Sequence, residues 1–588
     1  MNALEPTAHD VVILGGGLAG LTLALQLRQR CAGIDVLVLE RRSHPVPHAA
    51  FKVGESSVEI GAHYFSAVLG LSAHLEQAQL RKFGFRFFFS EGQRDIGAVL
   101  ELGASRALTV PTYQIDRGIF ENFLGGEARR RGVRFLDGAR VSGVDLALPA
   151  PLAPLATDVA NRVTNRTDQG HSHGLHRVRF DHAGATREVS ARWVVDAGGR
   201  AGLLKRQLGL AADNAHAVGA VWFRLKHRIN VDTWSDDPAW RTRCDPATRW
   251  LSTNHLVGAG YWVWLIPLAS GSHSVGIVAD PRLHPLATMN SFDKAMQWLS
   301  IWQPRLFDEL DSKRHLLQDF AYLRRFSHGC QQVFSAQRWA LTGEAGVFLD
   351  PFYSPGSDFI AISNTYITEL IGRDRAGQPI GAHAKVYEQL FQSFYANTLA
   401  LYTDQYALFG DAVVLPVKVI WDYTFYWGVL AQLFFQNRLA DLGALARLHD
   451  ALALCQQLNG MVQDLLRAWS AQRRVSACVH ATAGPSAAAG GVGPRAAMLD
   501  QAALAWFVEL NRSLTDTLDD AQFQARLGAS AQLLRALGAE VVERALHDCP
   551  ALDGVAWRAR LAGCGSFGAA ALDRSAAAAS PALLALLI

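Results

Sequence analysis

Two short stretches of this 588-residue chain combine residue types and spacings that suit chemistry. The first is Gly15-Gly16-Gly17-Leu18-Ala19-Gly20, a GxGxxG pattern set directly after an apolar strand and at the opening of a helix. In that setting Gly15 permits a tight turn, Gly17 lets a pyrophosphate approach the backbone, and Gly20 allows helix and strand to pack closely. The helix N-terminus, with Leu18 and Ala19 in its first turn, stabilises the phosphate charge. Glu40 ends the following strand about twenty residues on, where a carboxylate accepts hydrogen bonds from a ribose, and Arg41 comes next. The second stretch is Trp262-Val263-Trp264-Leu265-Ile266-Pro267. On a strand Trp262, Trp264 and Ile266 share one face and make an apolar wall, which Pro267 closes because it lacks the N–H of a continuing ladder. A well-filled core strand has the same pattern, so its companions decide what the wall is for.

The elements that must position these residues belong to an α/β fold. Residues 10–14, 18–30 and 34–40 read as strand, helix and strand, one βαβ unit. Residues 192–195 form a strand running into Asp196-Ala197-Gly198-Gly199-Arg200, and 339–341 form another running into Thr342-Gly343-Glu344. A Rossmann-like dinucleotide domain is therefore expected in two pieces, 1–215 and 330–375. Strand-rich sequence from 218 to 278, inside a 216–329 substrate domain, carries the Trp wall. Residues 376–480 are helical and rich in aromatics, including Tyr402, Tyr406, Tyr423 and Trp427, which suit a core or a groove for an apolar substrate. Residues 481–495 have the composition of a flexible linker, and 496–588 read as C-terminal helices ending in a loosely held Ala-rich tail.

Half of the residues are hydrophobic and 19% are charged, and the net charge is only +3 with both signs interspersed. No nucleic-acid partner is expected from that balance. The seven cysteines are scattered without CxxC spacing, which points to a reducing compartment without disulfide or zinc framework. With no signal-like N-terminus, a cytoplasmic location is expected. The sequons at Asn165 and Asn511 are then without consequence. Residues 412–435 are strongly apolar but are interrupted by Pro416, Lys418 and Asp422, so no transmembrane segment is expected. His171, His173 and His176 sit in a polar excursion over 148–176 with no Cys or carboxylate at ligand spacing, and no metal site is read there.

Three further stretches resemble flavin contacts of the glutathione-reductase-like FAD hydroxylase group: Val195-Asp196-Ala197-Gly198-Gly199-Arg200, Thr342-Gly343-Glu344-Ala345, and Tyr113-Gln114-Ile115-Asp116-Arg117. Lys52-Val53-Gly54-Glu55-Ser56-Ser57 is similar to that group's VGES turn, which places Gly54, Glu55, Ser56 and Lys52 on the flavin side. With one GxGxxG only, the resemblance implies FAD, held also by Arg117, Asp196, Gly343 and Glu344. Within the group the chain resembles the flavin-dependent halogenases of phenol and pyrrole type. WVWLIP matches their WxWxIP signature, Phe348-Leu349-Asp350-Pro351-Phe352-Tyr353-Ser354-Pro355-Gly356 matches FxxPxxSxG, and Lys82 falls where those members carry a lysine.

That resemblance implies a catalytic set of Lys82, Trp262, Trp264 and Ser354, with Asp350, Pro351, Gly356 and Ser357 beside the flavin. It implies FADH2 supplied by a separate flavin reductase, and a C4a-hydroperoxide that oxidises chloride or bromide to hypohalous acid. The Trp wall keeps the arene from the flavin, and the hypohalous acid travels to Lys82, where a desolvated amine is tuned to meet it. The implied substrate is a small aromatic intermediate of secondary metabolism, free or tethered to a carrier protein. Three departures stand out. Glu344 replaces an Asp, Tyr353 stands where tryptophan-specific members carry a glutamate, and Pro355 lacks an N–H at a position whose amide holds halide in the family. A non-halogenating FAD monooxygenase on the same scaffold is the alternative reading.

Overall fold

The computed structural model describes residues 8–49, 53–147, 174–482 and 497–565. Ala8–Leu14 is a central strand whose Val11, Val12 and Ile13 are fully buried, the near-continuous apolar run expected of a parallel strand covered on both faces. It pairs in parallel with Val36–Glu40 on one side and Ala185–Asp196 on the other. Arg134–Asp137 extends the parallel sheet beyond Val36–Glu40, and Trp339–Leu341 pairs in parallel with the end of Ala185–Asp196. His176–His182 and Arg140–Asp145 complete it as an antiparallel flank. The helices Leu18–Arg30 and Gly356–Arg375 pack on each other over this sheet. The α/β architecture of the sequence reading is therefore present, with its dinucleotide sheet assembled from distant segments.

A second, eight-stranded sheet runs in the order Leu317–Leu323, Gly219–Leu225, His273–Ala279, Tyr261–Pro267, Thr253–Gly258, Phe85–Phe88, Glu101–Gly103, Met498–Asp500. It draws two strands from before residue 216 and one from after 495, so this sheet is wider than the 216–329 segment. Tyr261–Pro267 is buried along its whole length. Its alternation divides two cores: Trp262, Trp264 and Ile266 pack with the dinucleotide domain, whereas Tyr261, Val263 and Leu265 pack under Trp298, Leu299 and Leu306 of the helices Phe292–Trp302 and Pro304–Leu310. Gly276, opposite Trp264 on the next strand, makes room for that indole: a Cβ there would lie 2.1 Å from Trp264 Cζ2.

The helical region follows, with Gly381–Leu399, Val414–Phe425, the wide-turned π segment Tyr426–Ala431, His449–Thr482 and Asp520–Asp548. Tyr402, Tyr406, Trp421 and Trp427 are buried in it. Two local expectations are corrected. His176 is not in a loop but opens a strand, where its ring meets the Ala147 N–H at 3.0 Å and the Arg338 carbonyl at 3.1 Å. Residues 481 and 482, placed in the linker from composition, finish the helix His449–Thr482. His171, His173, the sequon at Asn165, and Lys52 lie outside the described residues. Among the described residues six cysteines are free, no cluster of His, Cys, Asp and Glu suits a metal ion, and no helix is long and apolar enough to cross a membrane.

Glu101 ties the second sheet together. Its carboxylate pairs with Arg86 Nη1 and accepts from Arg249 Nε at 2.8 Å, and all three side chains are fully buried. Removing one member of such a cluster strands the others. Glu101→Ala is expected to cost about 3–5 kcal/mol, read as a lowered midpoint in urea unfolding.

Candidate functional site

The loop after Ala8–Leu14 is shaped by its glycines. Gly15 has φ of +114°, and a Cβ there would lie 2.5 Å from the Ala197 carbonyl oxygen, so only glycine fits. A Cβ on Gly20 would meet the Gly15 carbonyl oxygen at 2.0 Å. Above Gly17, by contrast, a Cβ would meet nothing within 4 Å. That open side of the turn, at the N-terminus of Leu18–Arg30, begins a cleft of about 750 Å³. Of the cofactor residues expected from sequence that the structure describes, all line this cleft except Gly20, which packs beneath the turn. The space over these backbone N–H groups, flanked by Glu40, Arg41 and Arg42, has the donor set and the room for a dinucleotide pyrophosphate.

Several of those residues serve the loop itself. Glu40 Oε2 accepts from the Gly16 N–H at 2.7 Å and Oε1 from the Arg42 N–H at 2.8 Å. Asp196 is buried and spends both oxygens on the Gly198 and Leu204 N–H groups, at 2.9 and 2.8 Å. Glu344 pairs with Arg200 at 3.0 Å across the cleft. Arg117 donates to the Val53 carbonyl at 2.8 Å and to Glu121 at 2.7 Å, and so supports Gly54, whose φ is +83°. Glu55 is buried against Arg224.

The cleft is also lined by Trp262 and Trp264, joined by Trp222, which the sequence reading does not single out. The two indoles of the motif lie 5.6 Å apart and each N–H is satisfied, Trp264 Nε1 donating to Ser274 Oγ at 3.1 Å and Trp262 Nε1 to Tyr406 OH at 3.0 Å. Tyr406 in turn donates to Asp350 Oδ2 at 2.5 Å, and the same oxygen meets His216 Nε2 at 2.7 Å. Asp350 Oδ1 accepts from the Phe352 N–H at 2.9 Å, which fixes the turn leading to Ser354. Ser354 takes the left-handed backbone conformation, with φ of +53°, and Pro355 caps the helix Gly356–Arg375. The N–H groups that remain there for an anion at the cleft are those of Gly356 and Ser357.

Lys82 lies just outside the cleft, at the end of the strand Leu80–Lys82. Ser56 stands between: Lys82 Nζ donates to Ser56 Oγ at 2.9 Å and to the Ser57 carbonyl at 3.1 Å. The amine sits 3.4 Å from the centre of the Phe85 ring, which packs on His255, which packs on Trp262. Only 5% of Lys82 is exposed, and burial pulls its pKa down to about 7 against the upward pull of Glu59 and Asp358. His255 is held neutral, its pKa lowered to about 3 by burial and by Lys82. Asp358 accepts from the Gly61 N–H and from Tyr426 OH, each at 2.8 Å, yet burial raises its pKa to about 8. Tyr353 donates to Asp422 at 2.9 Å. Glu59, Asp358, His216 and Tyr406 carried no motif that sequence reasoning recognised.

Residues 13–97 match the model of an NAD(P)-binding Rossmann-like domain. The chain is 25% identical over 440 residues to the flavin-dependent halogenase chlA of Dictyostelium discoideum, covering 72% of this chain and 70% of that one. It is 25% identical over 370 residues to a 1H-pyrrole-2-carbonyl-[peptidyl-carrier protein] chlorinase of Pseudomonas fluorescens, covering 59% of this chain and 72% of the relative. Its fold is similar to that of halogenase PltM in complex with phloroglucinol and FAD, with a TM-score of 0.57 at 17% identity over 88% of this chain and 99% of that one.

Because a Cβ at Gly17 has open space on the protein side, Gly17→Val tests the cleft without disturbing the fold. It is expected to lower FAD affinity by at least about tenfold, read from flavin absorbance retained on gel filtration, with the melting temperature of the flavin-free protein unchanged.

Proposed function

We propose that this chain, a member of the flavin-dependent halogenase family and an FAD-dependent oxidoreductase, halogenates a phenolic or pyrrolic intermediate of secondary metabolism with FADH2 from a separate reductase. The observation that carries this reading is Lys82, a buried amine that meets the cleft through Ser56 and is held near neutrality. The Gly15 to Gly20 turn would hold the phosphates of bound FAD and Glu40 and Arg41 its ribose, in a cleft also lined by Trp222, Trp262 and Trp264. Reduced flavin supplies the electrons with which dioxygen oxidises halide to hypohalous acid.

The protein's own groups do the rest. Trp262 and Trp264, locked by Tyr406 and Ser274, keep the arene off the flavin and leave a small oxidant as the species that crosses. Lys82 receives it. At pH 8 a lysine of pKa about 7 is mostly free amine, able to attack the halogen of hypohalous acid and release water, then pass the halogen to the ring. Tyr353, bonded to Asp422, offers no carboxylate for an indole substrate, which favours phenols and pyrroles. The phloroglucinol complex of PltM supports a phenol, and the chlorinase named for carrier-bound pyrrole supports a tethered substrate.

One observation favours the alternative, a non-halogenating monooxygenase. Pro355 removes one N–H from the anion seat and leaves Gly356 and Ser357. A charge-assisted hydrogen bond to an anion contributes about 1.5–3 kcal/mol, so halide affinity is weakened by one to two powers of ten.

The deciding assay supplies FAD, a flavin reductase, bromide or chloride and a panel of phenols and pyrroles, with products read by mass. Halogenated product is expected; hydroxylated product alone at high bromide would overturn the reading. Lys82→Ala and Lys82→Arg are each expected to lose halogenation by roughly 10²–10⁴-fold while flavin reoxidation continues. Because the pKa of Lys82 is about 7 and the free amine is the reacting form, the wild-type rate should rise between about pH 6 and about pH 8. A fall over that range would instead assign the work to the ammonium. Pro355→Ser restores a donor and is expected to lower the halide concentration for half-maximal rate about tenfold; an unchanged value would place the halide elsewhere.

A further inference from the structure

Glu59 opens the short helix Glu59–His63 and is 5% exposed. Its Oε1 accepts from Asn511 Nδ2 at 3.3 Å, whereas its Oε2 is buried without a hydrogen-bond partner. The Trp427 indole donates toward the same carboxyl, its Nε1 outside standard hydrogen-bond geometry. Buried donors and acceptors are rarely left so poorly paired, and this pair lies within the electrostatic reach of Lys82. Two half-buried tyrosines, Tyr423 and Tyr426, lie within electrostatic reach of the same carboxyl. Tyr423 lies 4.7 Å from Trp427, 5.7 Å from Phe507 and 6.2 Å from Phe85, ring centre to ring centre. Trp427 itself sits in the π segment Tyr426–Ala431, an irregularity helices keep mainly at functional sites.

We propose that Glu59 and Trp427 receive the hydroxyl of a phenolic substrate beside Lys82, Trp427 Nε1 donating to the phenol oxygen and Glu59 taking its proton. This rests on the halogenase reading above and narrows its substrate class. A phenol hydroxyl is both donor and acceptor, so it satisfies Glu59 Oε2 and Trp427 Nε1 together. Burial pushes the Glu59 carboxyl upward, which strengthens it as a base. The step balances. The O–H proton passes to the Glu59 carboxylate, and the phenolate ring uses a π pair to bond the halogen carried on Lys82 Nζ as the nitrogen–halogen bond breaks. The ring C–H proton passes to that nitrogen, which restores the free amine and the aromatic phenolate, and Glu59 returns its proton to the oxygen.

The test compares one phenol with its methyl ether on the FAD-loaded enzyme. Calorimetric titration of the wild type is expected to show the phenol binding at least about tenfold tighter, because a site built to bond a hydroxyl rejects the analogue without it; equal affinities overturn the proposal. In Glu59→Gln, which keeps an acceptor but cannot take a proton, the kcat for phenol halogenation is expected to fall about 10²–10³-fold with KM within about threefold. An unchanged kcat, or a fall matched by the methyl ether, overturns it. Should Glu59→Gln lose FAD, Trp427→Phe serves instead, with KM for the phenol alone rising about tenfold and no rise counting against the proposal. Wild-type enzyme that prefers the phenol in binding but yields no halogenated product supports the Glu59 site and removes the halogenase reading. Halogenation of a pyrrole without turnover of any phenol removes the Glu59 site and leaves that reading in place.

Discussion

The carboxylate of Asp350 is the joint on which the site hangs. One oxygen fixes the turn at Phe352, and the other gathers His216 and Tyr406, which grips Trp262. A single buried side chain thus connects the dinucleotide domain, the indole wall and the helical region. Buried carboxylates are tolerated only with full hydrogen bonding, and this one has it. The geometry of the wall is in that sense over-determined: Trp262 cannot turn without breaking its bond to Tyr406, and Trp264 is confined between Ser274 and the bare backbone of Gly276.

Around Lys82 the governing term is desolvation rather than charge pairing. Its neighbours supply a hydroxyl, a carbonyl and an aromatic face, with Glu59 and Asp358 near enough to raise its pKa but not enough to cancel burial. The same burial raises Asp358 and lowers His255. Lys82, at about 7, and Asp358, at about 8, therefore exchange protons near neutral pH, whereas His255, at about 3, stays uncharged there.

What was legible in the sequence was local. The spacing of Gly15, Gly17 and Gly20 after an apolar run, and the period-two placement of Trp262 and Trp264, follow from the geometry of one turn and one strand. Lys82 was found only through its place in a resemblance, since nothing in Arg81-Lys82-Phe83 announces a buried amine. What escaped was pairing across the chain. Tyr406 reaches Trp262 over 144 residues, and Asn511 reaches Glu59 over 452. Trp222 and Gly276 enter the wall through strand register. His176 was misread because the segment before it looks like a loop, whereas its own ring is fastened between Ala147 and Arg338.

The bond between Trp262 and Tyr406 has a consequence for inheritance. The glycine turn and its sheet make a portable cassette, which fits any chemistry that begins with a dinucleotide. The indole barrier is not portable in this way, because its anchor belongs to a helical region that follows the cassette in the chain. A lineage that exchanged that region would keep the glycine turn and lose the hydroxyl that holds the Trp262 indole in place. Substitutions in the far half of the chain therefore reach the cleft without touching it.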